Sequence, residues 1–422
     1  MAANSFRVAV MSGDGIGVEV MDAALAVLDA AERRHGLATK REAAPGGALL
    51  YKETGNALPE TSFKTAQAAD AILFGAMGWP DIRYPDGTEI APQLDLRFRL
   101  KLYAGVRPIR AIPGVPTALA DPRAANIDLV ILRESTEGLF ASRDKGVVED
   151  DRVARDTMVI TREVTERLSR FAFGLARRRA KKRGRPGAVT LVDKSNVFRS
   201  FAFMRKVFYD VAPEFPEVKA GHHYIDAMAL DLVRRPWDFD VLPTENMFGD
   251  ILSDLGAGLI GGMGFAPSAD AGDAHALFQP SHGTAPDIAG KGIANPTAMI
   301  LSAAMMLEYL SERSGSQACA DAAAGNGALA PGVSAGRGRE KDRCQNEILA
   351  HVQLPWIEAA IRVSAVCVLN AAPNVAKSPQ FGSGWSVVQS IRRRAGCARR
   401  PCRARGHGLR WGPAAGRGSH SD

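Results

Sequence analysis

The first 35 residues contain a strand, a glycine loop and a helix in direct succession. Residues 6–11 form an apolar β-type run, and the loop at residues 12–17, Ser-Gly-Asp-Gly-Ile-Gly, follows it at once. Apolar residues then recur at the spacing of a helix that buries one face. They are Val20, Ala23, Ala24, Val27, Leu28 and Ala31. This succession predicts the beginning of an α/β fold.

The same alternation of strand and helix patterns continues to about Leu310. Four further β-type runs are largely apolar, at residues 71–75, 129–132, 189–192 and 239–242. A helical pattern lies between two of them and consists of Val164, Leu168, Phe171 and Leu175. Strands that alternate with helices are typical of a mostly parallel sheet covered by helices. The fold class is therefore predicted to be α/β.

One segment, residues 94–102, has a two-residue period. Its apolar residues are Leu94, Leu96, Phe98, Leu100 and Leu102, and charged residues stand between them. This alternation predicts a half-buried strand. A helix would instead place Arg97 and Lys101 on one face. The periodicity leaves both structures open.

The length and the hydropathy pattern limit the domain organisation and the location. A chain of 422 residues exceeds the ~250–300 residues at which a single core stops growing, so two domains are expected. No run of ~18 uncharged apolar residues occurs, and the N-terminus reaches Arg7 without a long apolar segment. Secretion and membrane spanning are disfavoured, and a cytoplasmic location is expected.

The net charge of +7 lies at one end of the chain. Residues 311–422 carry the excess of Lys and Arg, whereas the body up to Leu310 is slightly acidic. All the cysteines also lie within residues 311–422: Cys319, Cys344, Cys367, Cys397 and Cys402. The body therefore has neither a disulfide framework nor a thiolate metal site.

Residues 311–422 are expected to form an atypical tail rich in Cys, Arg and Gly. Its Gly-Arg and Arg-Arg pairs favour a disordered extension or a shifted reading frame, with one orderable segment at residues 348–369. The alternative is an RNA- or DNA-binding arm. Aromatic residues are sparse among its basic residues, so a nucleic-acid partner is not expected.

Residues 246–254, Asn-Met-Phe-Gly-Asp-Ile-Leu-Ser-Asp, place two carboxylates four residues apart. On a helix, Asp250 and Asp254 share a face and repel each other. A cation between them would remove that cost, and oxygen ligands favour a hard ion such as Mg²⁺ or Mn²⁺. The alternative is a solvated acidic face.

Seven motifs together resemble the β-decarboxylating dehydrogenases, which include isopropylmalate, isocitrate, homoisocitrate and D-malate/tartrate dehydrogenases. The motifs lie at residues 13–17, 96–108, 132–138, 192–197, 224–228, 246–254 and 281–296. The resemblance implies a two-domain isopropylmalate dehydrogenase-like fold with a discontinuous first domain. The first domain would comprise residues 1–103 and 255–310, and residues 104–254 would form the second domain with the dimer interface. The active site would lie in the cleft between them.

The resemblance also implies a set of residues that bind metal and substrate. Asp226, Asp250 and Asp254 would be the metal ligands, with Asp226 donated by the second subunit of a homodimer. Arg97, Arg107 and Arg133 would bind the substrate carboxylates, because planar guanidinium groups match that geometry. Lys194, also donated across the dimer, would assist removal of the hydroxyl proton. Asp226 would thus serve both the metal and the catalytic set.

The cofactor implied by the resemblance is NAD. Its adenosine would bind the loop formed by His282, Gly283, Thr284, Ala285, Asp287, Ile288 and Asn295. The Asp287 carboxylate can accept both ribose hydroxyls and would repel a 2′-phosphate, which favours NAD over NADP.

Two positions depart from the family pattern, and three bear on the substrate. Phe140 stands where the family usually has a Tyr that protonates the enolate, and Gln279 stands where relatives commonly carry Glu. The residues before Arg97 would contact the group on the third carbon of the substrate. They are Ala91, Gln93 and Leu94. Gln93 is polar, which favours a small or polar group over isopropyl.

The expected activity is NAD- and divalent-metal-dependent oxidative decarboxylation of a (2R)-malate-type hydroxy acid, such as isopropylmalate, D-malate or tartrate. Which acid is used stays open. The alternative is a catalytically impaired regulatory or binding subunit of the same fold, motivated by Phe140 and by the tail.

Overall fold

A ten-stranded sheet lies at the centre of the computed structural model, which describes residues 4–143 and 145–327. The strands are β1 (Ser5–Gly13), β2 (Ala38–Ala43), β3 (Ala71–Ala76), β4 (Ala104–Arg110), β5 (Asp128–Glu134), β6 (Val147–Glu149), β7 (Val153–Arg155), β8 (Ala188–Asp193), β9 (Lys219–Tyr224), β10 (Val241–Thr244), β11 (Pro267–Ala271) and β12 (Ala276–Pro280). Strands β6 and β7 form a separate two-stranded hairpin. The predicted runs at residues 6–11, 71–75, 129–132 and 189–192 are confirmed as strands, whereas the last run starts later, at Val241.

Ten α-helices occur in the part of the chain that the structure describes, and the last two follow the final strand. They are α1 (Ile16–His35), α2 (Ala48–Thr54), α3 (Glu60–Ala68), α4 (Pro92–Arg99), α5 (Arg162–Arg183), α6 (Arg199–Val211), α7 (Ile225–Arg234), α8 (Asn246–Leu259), α9 (Thr297–Ser314) and α10 (Gln317–Gly327). The helices predicted after the glycine loop, around Val164 and at Asp250 are confirmed as α1, α5 and α8.

The strand order is β2-β1-β3-β12-β11-β4-β5-β10-β8-β9. Six of the neighbouring pairs are parallel, and the three pairs from β12 to β5 are antiparallel. The predicted α/β class with a mostly parallel sheet is therefore confirmed.

Helices cover both faces of each half of the sheet. Alternate residues of a strand point to opposite faces, so Val8 packs with α1 and α9, whereas Ala9 packs with α3 and α4. In the other half, Leu191 packs with α5 and α6, and Val192 packs with α7 and α8. The described residues belong to one compact unit of the chain, and the division into domains at residues 103 and 255 stays a prediction.

The strand predicted at residues 94–102 is wrong, because the segment starts with the helix α4. Pro92 occupies the first turn, where a missing backbone N–H costs nothing. Adjacent residues Leu96 and Arg97 are both buried, which a one-sided strand would not allow. The helix ends at Arg99, and Lys101 has a positive φ of 54°.

The predicted start of the tail at Ser311 is too early. Helix α9 continues to Ser314, and α10 follows it. Cys319 and Ala322 are buried in the core formed with α1 and α9. The expectations for residues 328–422, including a disordered extension and an orderable segment at 348–369, lie outside the described residues. None of the described helices is long and apolar enough to cross a membrane.

Candidate active site

A cleft of about 320 Å³ lies between α4, the strands β4 and β5, the helix α8 and the segment after β12. Its polar lining includes Glu89, Gln93, Arg97, Arg107, Arg133, Asp250, Asp254, Ser268, Gln279 and His282. Leu94 and Phe140 are part of the apolar lining. Residues far apart in the sequence thus converge on one small polar cavity.

The three predicted arginines all line this cleft although each comes from a different element. Arg97 lies on α4, Arg107 on β4 and Arg133 on β5, and their relative exposures are 5%, 5% and 4%. Burial lowers the pKa of Arg107, and burial together with the nearby charge of Arg97 lowers the pKa of Arg133 to about 10. Guanidinium groups remain cationic at neutral pH under these conditions. The cleft therefore contains three cationic side chains that are largely shielded from solvent.

A buried carboxylate that sequence reasoning missed lies next to two of these arginines. Asp270 on β11 is 0% exposed, and its carboxylate is 3.1 Å from Arg97 Nη2 and 3.5 Å from Arg107 Nη2. Burial acts to raise the pKa of Asp270, but Arg97 and Arg107 outweigh it and the pKa is lowered. A single acid within the small, buried residues of β11 was the available signal, because buried acids are rare unless paired.

Gly249 allows the helix α8 to approach Arg133 closely. A Cβ at Gly249 would lie 2.6 Å from Arg133 Cβ. The close approach brings the guanidinium of Arg133 into contact with the Asp250 carboxylate, and Arg133 Nε donates to Asn246 Oδ1 at 2.8 Å. The predicted substrate-binding and metal-binding residues therefore adjoin each other on this wall.

Asp250 and Asp254 both face the cleft from α8, as the four-residue spacing predicts. Partial desolvation, with the adjacent Asp250 adding to it, raises the pKa of Asp254. The helix thus carries two carboxylates that repel each other beside a polar cavity. A cation with a preference for oxygen ligands fits this pair.

Asp226 and Lys194 do not join that pair within one chain. They contact each other as an ion pair, and the hydrogen bond from Lys194 lowers the pKa of Asp226. Neither residue lines the cleft. No group of three metal-ligating side chains exists among the residues that the structure describes. A complete metal site would therefore need a ligand from outside the described residues of this chain.

The predicted cofactor loop starts at the cleft and continues over α1. His282 and Gly283 line the cleft. Thr284 is buried, its carbonyl accepts a hydrogen bond of 2.9 Å from the Ile16 N–H, and the Gly290 N–H contacts Glu19. The glycine loop and the first turn of α1 thus hold this segment through hydrogen bonds. Asp287 is exposed, and the side chain of Asn295 accepts from the Thr297 N–H at 3.0 Å.

The glycine loop has a second role, because Asp14 joins it to two other segments. Its buried carboxylate accepts from the backbone N–H of Ala48, Leu49 and Gly78 at 2.7, 3.0 and 2.9 Å. Both carboxylate oxygens of Asp14 are therefore engaged in hydrogen bonds within the protein. The loop is therefore a structural junction beside the cleft.

Three buried polar atoms in the cleft wall have no hydrogen-bond partner among the described residues. They are Gln93 Oε1, Arg97 Nε and His282 Nε2. Burial lowers the pKa of His282, whose Nδ1 lies 2.9 Å from the Gly283 carbonyl, so a neutral ring would present Nε2 as an acceptor. Leaving such atoms unpaired is costly. The cleft is therefore suited to a polar ligand that contacts both α4 and the segment after β12.

Comparison with known proteins agrees with this chemistry. The isocitrate/isopropylmalate dehydrogenase family model matches residues 7–334. The chain is 47% identical over 307 residues to the 3-isopropylmalate/3-methylmalate dehydrogenase of Methanocaldococcus jannaschii, covering 72% of this chain and 86% of that protein. It is 42% identical over 316 residues to the 3-isopropylmalate dehydrogenase of Methanothermobacter thermautotrophicus, covering 74% and 88%.

Solved structures give the same result. The isocitrate dehydrogenase of Methylococcus capsulatus superimposes with a TM-score of 0.66 and 36% identity, over 76% of this chain and 88% of that one. A β-decarboxylating dehydrogenase of Thermococcus kodakarensis gives 0.62 and 37%, over 88% and 100%. Fold and site thus define an α/β protein of the dehydrogenase class. The chain belongs to the isocitrate/isopropylmalate dehydrogenase family, and the predicted resemblance is confirmed.

Proposed function

We propose that this protein catalyses the NAD- and divalent-metal-dependent oxidative decarboxylation of a (2R)-malate-type hydroxy acid. The observation that carries the proposal is the cleft that three buried arginines line together with Asp250 and Asp254. The names of the relatives, 3-isopropylmalate and 3-methylmalate dehydrogenase, support an acid substituted on its third carbon.

The arginines would bind and orient the substrate carboxylates. Charge-assisted hydrogen bonds from guanidinium groups are strong and directional. The unpaired Arg97 Nε is a donor available for this purpose. Gln93, four residues before Arg97 on α4, would contact the substituent on the third carbon with its unpaired Oε1. Leu94 would contribute an apolar contact at the same end.

Asp250 and Asp254 would hold the metal together with Asp226 of the partner subunit in a homodimer. The mutual repulsion of the two carboxylates on α8 fits a cation, and the described residues of one chain contain no group of three side chains that could complete the metal site. A divalent cation bound there would supply Lewis-acid polarisation of the substrate oxygen. Lys194 of the partner subunit would take the hydroxyl proton.

Exposed apolar residues support the homodimer. Val147 and Val148 on the β6–β7 hairpin, Leu230 on α7 and Ile251 on α8 are at least half exposed. Ile251 adjoins Asp250, so a surface that covers it would bring a second subunit to the cleft. Such apolar surface is typical of an interface.

His282, Gly283, Thr284, Ala285, Asp287, Ile288 and Asn295 would bind NAD, which would serve as the hydride acceptor. His282 Nε2 is an available acceptor at the cleft end of this segment. The exposed carboxylate of Asp287 could accept the ribose hydroxyls further along it.

A second candidate is a catalytically impaired subunit that binds the same ligands. Phe140 favours it, because the ring lies in the cleft with its centroid 4.9 Å from Arg133 Cζ and carries no acidic proton. In the active alternative, a water or another residue would return the proton to the enolate.

The test is NADH formation with isopropylmalate, 3-methylmalate, D-malate, D-tartrate, isocitrate and homoisocitrate, each with Mn²⁺. We expect turnover of at least one acid, and we expect Asp250→Asn to abolish it while NAD binding is retained. Asp22→Asn is the control, since Asp22 is exposed on α1, which does not line the cleft. Ligand binding without any turnover would favour the impaired subunit instead.

A further inference from the structure

The buried carboxylate of Asp270 lies behind the substrate-facing side of the arginine pair. Besides Arg97 and Arg107, it is contacted by Gln279 Nε2 at 2.8 Å and by Ser135 Oγ at 3.3 Å. Arg107 in turn donates to Ser268 Oγ and, at 3.3 Å, to the Ala269 carbonyl. Every one of these groups is buried. Asp270 and Ser135 do not line the cleft, whereas Arg97 and Arg107 do, so Asp270 supports the two arginines from behind the cleft wall.

The charge of Asp270 also decides where the two guanidinium groups can point. Within the described part of the chain, Asp270 is the carboxylate that forms ion pairs with both Arg97 and Arg107. Asp250 and Asp254 also line the cleft, and their charges attract Arg107 without an ion-pair contact. Without Asp270, the arginines would turn towards these two acids. A carboxylate ligand would then have to displace an internal ion pair.

We propose that Asp270 is a positioning residue whose charge holds Arg97 and Arg107 ready for a carboxylate ligand, and that Gln279 is its exchangeable amide partner. The proposal rests on the proposed function only in taking the ligand to be a carboxylic acid. The unpaired Nε of Arg97 supports it, because the same guanidinium that is bound to Asp270 through Nη2 keeps a buried donor without a partner.

The acid and the amide can be exchanged across their hydrogen bond. In the double variant Asp270→Asn/Gln279→Glu, a carboxylate remains in the network with the same total charge. A carboxylate at 279 would accept from the amide at 270 over the bond that now measures 2.8 Å. This exchange restores the counter-ion, whereas Asp270→Asn alone removes it with almost no change in volume. A role in packing would therefore leave the single variant unaffected.

The experiment compares the dissociation constant of malonate, measured by calorimetry, for the full-length wild type, Asp270→Asn and the double variant. We expect Asp270→Asn to bind malonate at least ~10-fold more weakly, because directional charge-assisted hydrogen bonds are lost. The double variant should return to within about threefold of the wild type, since coupled residues compensate each other. For any acid that is turned over, KM should rise in Asp270→Asn while kcat and the KM for NAD change little.

Asp240→Asn is the matched control. Asp240 is also buried and pairs with two arginines, Arg179 and Arg183, outside the cleft. The substitution Asp240→Asn should lower the melting temperature of the protein and leave the dissociation constant of malonate unchanged. If Asp270→Asn does not fold, the double variant still decides the question by folding and binding malonate.

Three results would overturn the proposal: equal malonate affinity of Asp270→Asn and the wild type, a double variant no better than the single one, or no malonate binding by the wild type. Failure of the proposed function would give a different result. No acid would support NADH formation, but Asp270→Asn would still bind malonate more weakly than the wild type.

Discussion

Gly249 is a position at which α8 approaches β5 closely, and replacing it tests the packing of the site directly. In Gly249→Ala, the new Cβ would lie 2.6, 2.7 and 3.0 Å from Cβ, Cγ and Cα of Arg133. Carbon atoms are most stable ~3.5–4.0 Å apart, so the helix or Arg133 must move by ~1 Å. Arg133 and Asp250 would then lose their present contact.

The expected change in the unfolding free energy of Gly249→Ala is the sum of two opposing effects. Overpacking of this kind costs ~1–3 kcal/mol, whereas Ala stabilises a helix interior by up to ~1 kcal/mol relative to Gly. Gly258, near the end of the same helix, has no atom within 4 Å of an added Cβ. The substitution Gly258→Ala therefore gains part of the helical stabilisation without the clash. The difference in unfolding free energy between the two variants should equal the clash, ~1–3 kcal/mol.

Urea denaturation of both variants measures this difference as a shift in midpoint at constant slope. We also expect KM for the acid substrate to rise in Gly249→Ala and to stay unchanged in Gly258→Ala, because only the first displaces Arg133. Equal midpoints and equal KM values in the two variants would refute the close approach of α8 and β5.

Three further predictions concern the cofactor, the proton donor and pH. Asp287→Ala should reduce the preference for NAD over NADP, since it removes hydroxyl acceptors from one and repulsion from the other; an unchanged ratio of kcat/KM values would exclude Asp287 as the discriminator. Phe140→Tyr should raise the rate of decarboxylated product formation by up to ~10²–10⁴-fold if a missing general acid limits it, which product analysis in single turnovers measures; an unchanged rate would mean that another group already donates the proton. Burial raises the pKa of Glu134 from 4.5 to about 7, so the folded state retains a proton that the unfolded state releases. Stability should therefore fall by up to ~3 kcal/mol as the pH rises from about 4.5 to above 7. The urea midpoint of the wild type should therefore fall as the pH rises across this range, and the midpoint of Glu134→Gln should not show this fall. The same pH dependence of the midpoint in both proteins would contradict the raised pKa.

The sequence by itself determined the local elements and the chemical inventory of the site. The strand, loop and helix at the N-terminus follow from apolar periodicity and from glycines, which are local properties of the chain. The shared face of Asp250 and Asp254 likewise follows from helical geometry alone. Arg97, Arg107 and Arg133 were found through motifs, and the structure brings all three to the cleft.

Prediction from the local sequence pattern failed where contacts with distant segments of the chain decide which residues are buried. The alternation at residues 94–102 predicts a strand, yet Arg97 is buried next to Leu96 because the cleft offers it a carboxylate partner. The composition change at Ser311 likewise predicts the end of the body, but Cys319 packs into the core because α10 lies against α9 and α1. Asp270 is far from Arg97 in the sequence, and α1 is far from Cys319.

Only the tertiary structure decided which charges neutralise which. Asp270 is separated from Arg97 by more than 170 residues in sequence, and nothing in the local pattern of β11 connects them. The antiparallel pairing of β11 with β4 and β12 places Asp270 opposite Gly105 and Leu277, so that Arg107 and Gln279, two residues further along, are its diagonal neighbours. Ion pairing depends on distance in space, and distance in space is set by strand order and register. The sequence therefore specified the charged groups of this site, whereas the folded sheet specified their partners.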